Sequence, residues 1–166
     1  MPGALRLEAR VHAAPALPDD PAPYVGPDSY TFVRLRLFHR DGLIGEGFTG
    51  RFLAAEVAHF LNGTVAGAVA GHDPLTEPDI TPALMRQLNP RAMTGVVVSA
   101  LSALEIACAD LRAKAAGESL ARRLGGRRAS APAHVTCGFP ALERDDLVAA
   151  CVREIAAGAD GVKVLV

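Results

Sequence analysis

The stretch SALSALEIACADLRAKAAG, Ser99 to Gly117, decides how this chain is read. Leu101, Leu104, Cys108, Leu111 and Ala115 recur at alternating spacings of three and four, which places them along one side of a helix. Asp110 and Lys114 stand four apart, the spacing of an ion pair on one helix face. Gly117 supplies a stop, so a helix is predicted from about Gly95 to Ala116.

Beyond this helix, Leu120 and Leu124 mark a short second helix closed by Gly125 and Gly126. The composition then changes, and Arg127, Arg128, Ser130 and Pro132 read as a linker. A strand from His134 to Gly138 follows. Next comes a helix from about Asp145 to Ala157, with apolar Leu147, Val148, Cys151, Val152 and Ile155, a stop at Gly158, and a last apolar strand from Gly161 to Val166. Strand, helix and strand in that order make a βαβ unit with parallel pairing. Asp145 and Asp146 suit the positive end of the helix dipole.

Towards the N-terminus, Leu5, Leu7, Ala9 and Val11 alternate with Arg6, Glu8 and Arg10, the pattern of a half-buried strand. Val33, Leu35 and Leu37 alternate with Arg34 and Arg36 in a second strand. Asp41-Gly42 is a hairpin turn, and Leu43 to Thr49 returns as a third strand, whose Gly45 and Gly47 indicate a bulge or a close backbone approach. Between the first two strands, Pro15, Pro18, Pro21, Pro23 and Pro27 exclude regular helix or central strand and predict a long loop. After the third strand, Leu53, Val57, Phe60 and Leu61 share a helical face that Asn62-Gly63 ends or interrupts. Ile80 to Leu88 forms another short helix before Asn89-Pro90.

Composition narrows the function classes. A formal net charge of -1, few aromatics and no Trp give no basis for nucleic acid or a membrane surface as partner. Arg6, Glu8 and Arg10 interrupt any signal-peptide core, no apolar run is long enough to span a bilayer, and a cytoplasmic location is expected. Cys108, Cys137 and Cys151 have no CxxC spacing and read as small buried thiols, and the five histidines show no ligand spacing, so no metal site is assigned within the chain.

The helix and its GlyGly end resemble the segment that joins cap to barrel in enolase-superfamily enzymes of the mandelate racemase/muconate lactonizing type, whose form is close to SAxxxALxDLxxKxxGxPxxxLLGG. Glu105 stands where that pattern has Asp, and Ala109 where it has Trp. The opening meander with its Gly45-Glu46-Gly47 turn, the helical region and the closing βαβ unit follow the family's order. The resemblance implies an α+β capping domain over residues 1–126, a linker over 127–132, and over 133–166 the first βαβ unit of a TIM-type (β/α) barrel that is incomplete in this chain.

For function, the resemblance implies a Mg2+-dependent acid-sugar dehydratase or racemase-like enzyme. It would abstract the proton next to a carboxylate and pass through an enediolate. The partners implied are a small sugar-acid carboxylate and further copies of the same chain. Family metal ligands lie on the third to fifth barrel strands, so this chain alone is expected to bind no Mg2+ tightly and to be inactive. Lys163 matches the first lysine of the family's Lys-x-Lys at the end of the second barrel strand, while Leu165 occupies the position of the second, basic lysine. Lys163 is the catalytic candidate. Tyr24, Thr49, Arg51 and Thr94 lie on the loops that would meet a hydroxy acid and are the substrate-binding candidates. The alternatives are a non-catalytic capping or scaffold domain and a truncated gene fragment.

Overall fold

The computed structural model describes residues 5–14, 31–50, 52–78, 80–88, 95–137 and 142–164. They divide into two compact units, one formed by the chain up to Ala14 with Thr31–Gly126, the other including Arg127 onward.

The first unit is built on a three-stranded antiparallel sheet in the order β1 (Leu5–Ala13), β2 (Thr31–His39), β3 (Ile44–Thr49). Alternation sorts its side chains: Leu5, Leu7, Ala9, Val33, Leu35 and Leu37 are buried, while Arg6, Glu8, Arg34 and Arg36 lie on the other face. Val11, placed by the same alternation on the apolar side, is 44% exposed. Gly42 adopts φ 83° in the β2–β3 hairpin, as the Asp41-Gly42 signal predicts.

The Gly45-Glu46-Gly47 segment departs from the sequence reading. It is neither a turn nor a bulge: Leu37↔Gly45, Arg36↔Glu46 and Leu35↔Gly47 pair in unbroken register. The glycines serve close approach instead. A Cβ on Gly45 would stand 2.1 Å from the Ala107 carbonyl oxygen, and one on Gly47 1.9 Å from that of Ala103. Both oxygens belong to α4 (Val96–Ala115), whose backbone is thereby seated directly on β3.

On its inner faces α4 buries Ala100, Leu101, Ala103, Leu104, Ala107, Cys108 and Leu111. Ala115, the last of the predicted apolar series, is exposed. The Lys114 ammonium lies 2.7 Å from Asp110 and also donates to the Ile44 carbonyl at 2.8 Å, while Asp110 accepts the Glu46 amide at 2.8 Å. The predicted ion pair therefore also clips α4 to β3. Gly117, at φ 67°, ends the helix by donating to Lys114 as Glu118 donates to Ala113. A short helix α5 (Leu120–Arg123) follows, capped by the Ser119 hydroxyl accepting from the Arg122 amide.

Two further helical segments complete the core. The first, α1 (Ala54–Phe60), continues through a π-helical turn at Leu61–Val65 into α2 (Ala66–Val69), so Asn62-Gly63 interrupts the helix without ending it. Val57, Leu61, Val65 and Val69 are almost completely buried. Leu53, predicted on that face, instead precedes the helix at φ 53° and is 57% exposed. The other segment, α3 (Ile80–Leu88), buries Ile80 and Leu84. Full burial of one such Leu or Val side chain contributes roughly 1.5–3 kcal/mol.

The second unit contains β4 (His134–Thr136), α6 (Arg144–Ala156) and β5 (Gly161–Lys163), with β4 and β5 parallel. Asp145 and Asp146 occupy the first turn of α6, and Gly158 follows its end at φ 103°.

Candidate functional site

Lys163 is placed by the short parallel pair. At the start of β5, the Asp160 amide donates to the Ala133 carbonyl at 2.9 Å, and the Asp160 carboxylate accepts the Ala133 amide at 2.7 Å. This two-way clamp fixes the register His134↔Gly161, Val135↔Val162, Thr136↔Lys163. At the other end, the Cys137 amide donates to the Lys163 carbonyl at 3.1 Å. The backbone of Lys163 is thus held at the C-terminal end of a parallel strand. Its side chain is exposed, and among the described residues no carboxylate pairs with it.

Of the substrate-binding candidates, Thr49 is the last residue of β3, half-buried and opposite Val33. It belongs to the first unit and Lys163 to the second. Tyr24, Arg51 and Thr94 lie outside the described residues, as does Leu165. Glu46 is held within the sheet by Arg34, with Arg36 at 3.7 Å, which is a structural ion pair on the exposed face. Among the described residues no group of three or more His, Cys, Asp or Glu side chains could hold a metal ion.

One polar cluster was not signalled by the sequence. The His39 side chain is 1% exposed and lies 3.4 Å from both Asp41 and Asp73. The Asp41 amide donates to Nδ1 at 3.3 Å, and Nε2 faces Asp73. Burial raises the Asp73 carboxyl, but the Leu75 amide, His39 and Arg40 outweigh it and hold the group below its ordinary 3.8. The cluster ties the β2–β3 turn to the connection after α2. A histidine closing a strand and an Asp-Pro helix break 34 residues later give no common sequence signal.

The comparisons with known proteins agree with this architecture. The family described as mandelate racemase / muconate lactonizing enzyme, N-terminal domain, matches residues 24–125, and the chain belongs to that family. Among solved structures it is similar to a mandelate racemase/muconate lactonizing enzyme-like protein from Rubrobacter xylanophilus, at 27% identity and a TM-score of 0.79, covering 99% of this chain and 45% of that one. It is similar to the L-talarate/galactarate dehydratase of Salmonella typhimurium LT2, liganded with Mg and L-lyxarohydroxamate, at 26% identity and a TM-score of 0.77, covering 98% and 43%. A racemase from Streptomyces coelicolor A3(2) with bound magnesium is 26% identical with a TM-score of 0.75, covering 82% and 41%. The chain therefore spans less than half the length of each of these proteins. Among curated proteins none matches.

Proposed function

We propose that residues 1–126 are the capping domain, 127–132 the linker and 133–166 the opening βαβ unit of a TIM-type barrel in a Mg2+-dependent enzyme acting on a sugar acid. The reaction is removal of the proton next to the substrate carboxylate, as in an acid-sugar dehydratase or racemase. The observation that carries this reading is the family match over residues 24–125, joined to a lysine at the C-terminal end of a parallel strand.

In this reading Lys163 is the catalytic residue. Its ammonium offsets negative charge that develops on the substrate carboxylate as the proton leaves. Leu165 cannot exchange a proton, so the base is another group. Tyr24, Thr49, Arg51 and Thr94 contact the substrate from the capping domain. The bound Mg2+ would spread the same developing charge, and in this reading its ligands come from the third to fifth barrel strands. The enzyme is a cytoplasmic homo-oligomer in this proposal; among the described residues no helix is long and apolar enough to cross a membrane.

The test compares Lys163→Ala and Leu165→Ala in a polypeptide that carries this segment and turns over a sugar acid. The lysine variant should lose at least about 100-fold in kcat, the usual scale for removing one such electrostatic contact. The leucine variant should lose little. Equal turnover by the parent and both variants would make Lys163 a bystander. The 166-residue chain itself should show only weak surface binding when titrated with Mg2+, and stoichiometric tight binding would overturn the division of labour proposed here.

A further inference from the structure

The second unit places two thiols in contact. Cys137, the residue after β4, is 8% exposed, and its Sγ lies 3.7 Å from that of Cys151, a half-buried residue of α6. We propose that Cys137 and Cys151 are an oxidisable dithiol, a modification site at which a low-molecular-weight disulfide closes a bridge between the end of β4 and α6. This does not depend on the enzymatic reading.

Geometry and accessibility both support the pair. A disulfide bond is about 2.05 Å long, so the sulfurs must approach by less than about 2 Å, a shift that torsions of the two side chains supply. The hydrogen bond from the Cys137 amide to Lys163 holds that residue's backbone in place while its sulfur moves. Cys151 is the accessible member and reacts first. Burial, then the neighbouring Cys151 sulfur, raises the Cys137 thiol, which makes it the resolving partner. Cys108 is the internal control: it sits in the core of the first unit at 1% exposure, and burial pushes its thiol up to about 11.

The exchange balances without another reactant. The Cys151 thiolate attacks one sulfur of the small disulfide, whose S–S bond breaks and expels one thiolate that takes up the proton Cys151 lost. Cys137 then loses its proton and attacks the Cys151 sulfur of the mixed disulfide, expelling the second small thiol. Both cysteines are oxidised by one electron each, and the small disulfide is reduced to its two thiols.

The native chain is equilibrated in glutathione buffers of increasing oxidised fraction, quenched by acid, alkylated and digested with trypsin. Arg144 lies between the two cysteines, so the bridge joins two peptides that separate on reduction. The expected product is that linked pair, lighter by the two thiol hydrogens, with Cys108 alkylated only after denaturation. In Cys137→Ser, Cys151 should accumulate as the glutathione mixed disulfide, because the resolving thiol is gone. Circular dichroism confirms that the variant is folded. The proposal fails if both thiols of the parent stay alkylatable in excess oxidised glutathione. It fails equally if the mixed disulfide accumulates in the parent, if the bridge forms only in denaturant, or if the linkage runs to Cys108 or between chains.

Discussion

Two helices lie against sheets in this molecule, and they do so with different completeness. On β3, α4 is seated with its backbone against glycines, eight of its residues from Ala100 to Ala113 buried although Val98 and Ile106 stay 39% exposed, and its Asp110 and Lys114 bonded to strand backbone. The second unit's helix, α6, fully buries only Ala150, while Val148, Val152 and Ile155 stay 54%, 62% and 49% exposed. Two strands of three residues each offer little surface to a helix of 13. Among the described residues, interlocked packing holds α4 on β3, and strand-end hydrogen bonds hold the β4–β5 pair.

Gly47→Ala is the most direct way to break that contrast. The new Cβ would meet the Ala103 carbonyl oxygen at 1.9 Å, and backbone inside a helix cannot swing aside. Overpacking costs typically 1–3 kcal/mol, and a backbone clash belongs at or above the top of that range, so a loss of about 3 kcal/mol or more is expected. Chemical denaturation reads it as a lower midpoint. A midpoint like the parent's would mean that α4 is not in backbone contact with β3.

Asn62→Ala comes next. The Asn62 side chain accepts from the Ala9 amide and donates to the Ala9 carbonyl, both at 2.8 Å, which satisfies the free edge of β1 from the π-helical turn. Its loss leaves two backbone groups poorly paired, a cost of about 1–3 kcal/mol. Hydrogen exchange at the Ala9 amide should accelerate, and unchanged protection would show that the edge is covered in another way.

These two examples show what could and could not be read from the chain. Alternation in β1 as far as Ala9 and in β2, the Asp41-Gly42 hairpin and the 101–111 helix face depend on neighbours along the sequence, and they appear where periodicity puts them. Gly45 and Gly47 presented two meanings, bulge or close approach. The choice depended on what lay opposite, which is α4 some 60 residues away. Asn62 read as a helix breaker because its partner, Ala9, is set by tertiary packing. Lys163 was legible as a strand-end residue only through the family resemblance, since a lone lysine carries no periodicity. His39 with Asp73, and Cys137 with Cys151, carry no sequence spacing that marks them as neighbours.

The Asp73 cluster gives a smaller effect with a pH signature. A carboxyl held below its ordinary value favours the folded state above that value, because the unfolded chain binds the proton more tightly. Its contribution is complete above 3.8 and is lost as pH falls from there through the folded value. Asp73→Asn should cost about 1 kcal/mol near neutral pH. The gap between variant and parent should close below about pH 4. Paired urea melts across that range measure it, and a gap independent of pH would assign the loss to packing.

Gly161→Ala sharpens the comparison because it is the same chemical change as Gly47→Ala with a different neighbour. Its Cβ would stand 2.5 Å from Cδ2 of His134, a clash as severe on paper as many core clashes. The obstructing atoms here belong to the ring of an exposed histidine, which can rotate into solvent. Alanine also lowers the entropy of the unfolded chain relative to glycine, by roughly 0.5–1 kcal/mol in a strand. The displaced ring contact and the entropy gain nearly cancel, so the expected change is within about 0.5 kcal/mol. His134→Ala in the same background removes the obstruction and should leave Gly161→Ala neutral or stabilising. A loss in Gly161→Ala as large as that of Gly47→Ala would mean that the β4–β5 pair is as tightly interlocked as β3 with α4.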